Sequence, residues 1–232
     1  MINKFKLLTA TALFSLLSAC GGGGGGGGSA TTTVASTNAF DVSSGYRRLI
    51  STGFQKTFTV GGDCSGSLAI TSAPATTPAT FEGTNGVSSV TVAITTLTNC
   101  TPASSSSTDI RYYDTNYVPL GTSSTNEYAV DIGTPTLPSN ARVGDAGIAG
   151  SAKTYTNNTK ATPTGRDDTS YVIEADTATT AILNLITKSY NASGILTVTE
   201  QNRYRVAADG TLTFLSFDLQ RSGTSTLRLT GN

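Results

Sequence analysis

Beyond about residue 45, apolar and polar residues alternate with the period of two that sends successive side chains to opposite faces of a β-strand. Phe54, Lys56, Phe58 and Val60 share one parity, with Thr57 and Thr59 on the other. Val90, Val92 and Ile94 alternate with Thr91, Ala93 and Thr95. Residues 110–113, a turn at Asp114-Thr115-Asn116 and residues 117–120 read as a hairpin, and residues 128–132 as a further strand. The segments 74–78 and 101–108 read as loops. Five more strands are expected at 170–175, 180–190, 195–207, 211–220 and 225–230. They are separated by turns at 191–194, Asp209-Gly210 and Ser222-Gly223. Within 211–220 the apolar parity shifts between Phe214 and Leu215, which predicts a bulge or burial of both faces. One helix is predicted, over 43–54. Ser43 or Ser44 would cap it, and Tyr46, Leu49 and Ile50 follow the i, i+3, i+4 spacing.

These elements predict an all-β, antiparallel fold. Two prolines and three glycines between 135 and 150 suggest a boundary near 141. Residues 46–141 are then a small disulfide-bearing β-domain. Residues 142–232 are a five- or six-stranded meander that could curl into a half-barrel.

Composition narrows the possibilities. Only 13% of the 232 residues are charged, and basic and acidic residues balance at 15 each. That excludes a highly charged disordered chain and a basic nucleic-acid binder. The absence of long apolar runs and of heptads excludes a multi-span helical membrane protein and a coiled coil.

Histidine is absent. Ser-His-Asp and Cys-His catalysis and His-ligated metals are therefore excluded within this chain, and neither a metal nor a cofactor is expected. The four glutamates are Glu82, Glu127, Glu174 and Glu200. Glu174 and Glu200, on strands expected to be neighbours, are the candidates for a glycosidase-type carboxylate pair, with Asp176 close by. Asp167 and Asp168 are expected in a loop beside Arg166. Arg203 and Arg205 are expected on the solvent face of a strand, opposite Tyr204. Tyr112, Tyr113, Tyr117 and Tyr128 form a local tyrosine concentration suited to packing or to stacking on a sugar.

The first residues read as an address. Lys4 and Lys6 precede an apolar run over 7–16 that is too short to span a bilayer. Leu17-Ser18-Ala19-Cys20 resembles the lipobox of bacterial lipoproteins. The resemblance implies removal of residues 1–19, lipidation of Cys20 and a membrane partner through that lipid. Gly21 in the second mature position implies sorting to the outer membrane, with the periplasmic or surface face undetermined. An unbroken octaglycine, 21–28, opens a Ser/Thr-rich tether that runs to about residue 45 and spans roughly 25–30 Å. Lipobox and poly-Gly tether together resemble many uncharacterised Gram-negative envelope lipoproteins, and the resemblance covers anchor and tether only.

With Cys20 lipidated, Cys64 and Cys100 remain as an even pair in an oxidising compartment, which implies a disulfide. Closing a loop of that length is worth about 3.8 kcal/mol in the chain-entropy model. The functional expectation is a membrane-anchored envelope lipoprotein, non-catalytic, that binds a protein or glycan partner or plays a structural role. The alternatives are a periplasmic carrier of a lipid or apolar ligand and a carboxylate-based glycan hydrolase. A concave apolar face built from Leu183, Leu185, Leu212 and Phe214 would favour the carrier.

Overall fold

A computed structural model describes residues 35–62, 64–98, 100–222 and the backbone of 226–231. Cys20 and the expected leader and tether up to residue 34 lie outside the described residues. The chain forms one helix, α1 (Val42–Thr52), and thirteen strands: β1 (Phe54–Gly62), β2 (Gly66–Ser72), β3 (Thr77–Phe81), β4 (Thr84–Leu97), β5 (Ser104–Asp114), β6 (Pro119–Ser124), β7 (Tyr128–Ile132), β8 (Ala146–Tyr155), β9 (Pro163–Ala175), β10 (Ala181–Asn191), β11 (Leu196–Val206), β12 (Leu212–Arg221) and β13 (Thr226–Gly231).

From β4 to β13 every strand pairs with its sequence neighbour. β13 pairs antiparallel with β1, β1 with β2, and β2 with β4 across Ser72↔Thr91 to Gly66↔Leu97. The ring is thereby a barrel of twelve strands. β3 takes the remaining edge of β4, from Thr77↔Ser88 to Phe81↔Thr84. The all-β, antiparallel expectation holds, but the division near residue 141 does not separate two domains. β7 pairs with β8 across it, and β1 with β13. A single apolar cluster joins Phe58 and Leu68 to Leu183 and Phe217. A glycine- and proline-containing stretch read as a boundary is in fact a long loop followed directly by β8. Two expected loops are likewise partly strand: β5 begins at Ser104 and β3 at Thr77. Serine at both parities of 104–107, and proline at 74 and 78, removed the apolar alternation there.

The helix confirms the Tyr46, Leu49, Ile50 stripe, whose residues are buried or packed against buried ones. Its cap is Asp41 rather than either serine: the carboxylate accepts from the Ser44 amide at 2.9 Å. Gly45 sits on the carbonyl of Gly210 in the β11–β12 turn, where any Cβ would collide. Phe40, fully buried, bridges to Ala141 just ahead of the helix. So α1 caps the barrel end that carries the 73–76, 133–145 and 207–211 connections. Cys64 and Cys100 are bonded at the opposite end, tying the β1–β2 turn to the β4–β5 turn.

In β12 the shift is a bulge. Tyr204 faces Phe214 and Arg203 faces Ser216, leaving Leu215 unmatched. Leu212, Phe214, Phe217 and Leu219 all become buried as a result. Outside β9–β12 runs a polar ladder. Arg203 bonds to Asp218 and lies 3.4 Å from Glu174, Asn184 donates to Glu174 at 2.7 Å, and Arg205 grips Asp176 through two nitrogens. A barrel wall facing lipid carries an apolar band instead.

Candidate functional site

The inward parity differs between the two sides of the barrel. On β1, β2 and β10–β12 it is mainly apolar, with Phe58, Leu68, Leu183, Val206 and Phe217 buried there and Thr187, Glu200 and Asn202 among its polar members. On β5–β9 it is polar. Thr91↔Asp109 and Ser89↔Arg111 carry the inward register from β4 to β5, and Arg111↔Thr122 and Thr122↔Ala129 carry it to β7. Between the two walls lies a cavity of about 500 Å³, within the roughly 300–1,000 Å³ usual for small-molecule sites. Its lining extends to Arg47 and to Thr134 and Thr136, all exposed, so the lumen reaches solvent beside α1.

Arg111 is the hub. The barrel walls enclose it, yet water within the lumen reaches its side chain. Enclosure alone would lower its proton affinity, but the acidic groups around it, the carboxylates of Glu200 and Asp109 among them, outweigh this and it stays charged. No described residue accepts a hydrogen bond from its guanidinium, and none of these carboxylates forms an ion pair with it. Enclosure raises Asp131 to about 6 against the pull of Arg111. The same cause raises Asp109, again with Arg111 opposing. Glu200 is raised by enclosure as well, with Asn202 and Arg111 working against it. The phenols of Tyr46, Tyr113 and Tyr204 are held protonated by the same enclosure. Apolar lining comes from Leu49, Phe54, Ile70, Leu185, Phe214 and Phe217. Phe214 is fixed by stacking on Tyr204 at 4.7 Å and by edge contact with Phe58 at 4.9 Å.

The residues anticipated from sequence scatter. Glu174 and Glu200 are not a pair: β10 separates their strands, and Glu174 faces outward while Glu200 lines the lumen. Asp176 is outside, bound to Arg205. Asp167 and Asp168 lie on β9 rather than in a loop. Asp167 points inward and accepts from Ser189, and Asp168 points outward to Arg166. Arg203 and Arg205 face outward as expected, each held by acids.

The tyrosines divide. Tyr113 and Tyr117 line the lumen. Tyr112 and Tyr128 sandwich Phe81 outside, at 4.5 and 5.1 Å, above Gly121. Of the expected apolar face, Leu185 and Phe214 line the lumen, while Leu183 and Leu212 are buried in the core beside it. The hub residues Asp109, Arg111 and Asp131 were missed. Their strands alternate correctly, but Ile110 and Val130 claim the inward parity in a sequence reading. Among the described residues no group of His, Cys, Asp and Glu is arranged to hold a metal ion. No protein-family model, no curated protein and no solved structure matches this chain.

Proposed function

We propose that the protein is a lipid-anchored envelope binding protein whose barrel lumen holds a small amphipathic ligand. This joins the anchored, non-catalytic expectation to the carrier alternative. The observation that carries it is the lumen itself: a solvent-connected cavity with one apolar wall and one polar wall. Geometry adds support. The chain enters the barrel at Phe40 and α1, the same end at which the lumen reaches solvent. A Cys20 anchor would therefore tether the mouth towards the membrane, at a distance set by the length of the intervening segment.

The test has two arms. The purified body is titrated with the apolar fluorophore N-phenyl-1-naphthylamine, alongside a Thr122→Trp variant that fills the lumen. Saturable uptake by the wild type and its loss in a folded Thr122→Trp protein is the expected result. No uptake, or equal uptake by both, would sink the lumen as a binding site. In cells, Cys20→Ser is expected to move the protein from the membrane fraction to the soluble one. Unchanged attachment would remove the anchor from the proposal.

A further inference from the structure

The lumen's polar hub has an unusual hydrogen-bond balance. Asp109, Arg111 and Tyr113 project from one face of β5, about 6.8 Å apart along the strand. Asp131 reaches in from β7, Glu200 from β11 and Tyr46 from α1. None of Asp109, Arg111, Tyr113, Asp131, Tyr46 and Tyr204 hydrogen-bonds through its side chain to another described residue. These groups open onto the lumen, where water can partner them, and a ligand that displaces that water must replace its hydrogen bonds. Whatever fills the lumen must accept from the guanidinium and the phenols, and must donate to the carboxylates.

The charges restrict the filler. An anionic head gains Arg111 but meets Asp109, Asp131 and Glu200 around it. A cationic head gains the carboxylates but meets the guanidinium at their centre. A zwitterion needs its two partners segregated, whereas here acceptor, donor and phenol alternate along a single strand. A hydroxyl donates and accepts at once, so several hydroxyls on a neutral head fit an interleaved set of this kind. The apolar wall beside the hub, with Ile70, Leu185 and Phe214, suits an attached hydrocarbon.

We infer that the lumen's ligand is an amphiphile with a neutral, polyhydroxylated head, seated on Asp109, Arg111 and Asp131 with its apolar part against Phe214 and Ile70. The inference rests on the reading of the lumen as a binding site.

The experiment keeps the tail constant and varies the head. Octyl glucoside, octanoate, octyltrimethylammonium and octylphosphocholine, all below their micellar concentrations, compete with N-phenyl-1-naphthylamine and are also titrated calorimetrically. The glucoside is expected to bind about tenfold more tightly than any charged head, the worth of one or two well-placed hydrogen bonds. Free glucose is expected to bind far more weakly. Arg111→Leu should cost the glucoside about tenfold.

A double variant, Asp109→Asn with Asp131→Asn, separates the sources of affinity. It should strengthen octanoate while leaving the glucoside within about threefold, since Asn still accepts from a hydroxyl. Tightest binding by octanoate, the ammonium or the phosphocholine overturns the inference, as does equal binding by all four heads. These outcomes leave the lumen reading standing. Failure of every amphiphile both to displace the fluorophore and to give a calorimetric signal overturns both.

Discussion

Replacing Asp131 by Asn should stabilise the protein, and only above mildly acidic pH. Enclosure lifts the carboxyl from its ordinary 3.8 to about 6, so the folded state resists its ionisation. The sign follows from linkage. A carboxyl whose folded pKa lies above its unfolded value favours folding fully below 3.8. That contribution is lost as the pH rises through about 6. A shift of roughly two units sets an upper bound of about 3 kcal/mol. Lumen water and the nearby Arg111 moderate this, and about 1–2 kcal/mol is the expected gain for Asp131→Asn at pH 8. At pH 4 the gain should vanish. Urea unfolding of both proteins at pH 4 and pH 8 measures it. Asp109, Glu200, Arg111, Tyr46 and Tyr113 share the lumen and titrate in both proteins, so the difference between the two pH dependences isolates residue 131. Parallel curves for the two proteins, or a gain confined to pH 4, would refute the enclosure argument.

Three further outcomes follow from other parts of the barrel. Cys64→Ala with Cys100→Ala should lower stability by about 3.8 kcal/mol in the chain-entropy model, read as a fall in the urea midpoint. Adding reductant to the wild type should reproduce it. Gly45→Ala should undock α1, because the methyl meets the Gly210 carbonyl. A cost of about 1–3 kcal/mol and faster trypsin cleavage at Arg47 and Arg48 are expected, and an unchanged cleavage rate would show that the helix tolerates the shift. Arg205→Gln should cost under about 1 kcal/mol at neutral pH. Its partner Asp176 is held below the usual carboxylate range by the Arg205 hydrogen bonds. The contribution is present above the unfolded pKa and fades as acid protonates Asp176, so the variant and wild type should converge at low pH in thermal melts.

The fold class was legible because alternation survives in nearly every strand, and the bulge was legible in the Phe214–Leu215 parity shift. Closure was not. It depends on β1 meeting β13 and β2 meeting β4, and no local pattern encodes a partner some 170 residues away. The site was hidden for a different reason. Alternation states that two faces differ, not which one points inward. In β7, Tyr128, Val130 and Ile132 look like a core face, and Ala129 and Asp131 like a wet one. The structure inverts this: Ile132 is 47% exposed, and Asp131 is enclosed. In β10 and β12 the ordinary assignment holds, with Leu183 and Phe217 inside. A chain that uses both assignments in one barrel defeats any rule applied strand by strand. The odd member of β5, an arginine between Ile110 and Tyr112, was the available signal.

Strand number alone makes some lumen unavoidable. Eight strands leave an interior that side chains can fill, and twelve enclose more. An idle void of this kind could be reduced by bulky apolar residues on every wall, as β1 and β10–β12 do with Phe58, Leu183 and Phe217. The β5–β9 wall does the opposite. It presents Ser, Thr, Ala and Gly beside carboxylates and an arginine open to the lumen, and it keeps Asp131 where ionisation opposes folding. Ionisable groups held against their solvation are the mark of sites that bind or react. Structural ion networks also perturb titration, but they do so through direct pairs such as Arg203–Asp218 on the outer wall. Asp109, Arg111 and Asp131 form no such pair with another described residue. Lumen water can partner them, and a ligand that displaces that water must replace its hydrogen bonds, which makes the polar wall, rather than the cavity's size, the stronger argument for a ligand.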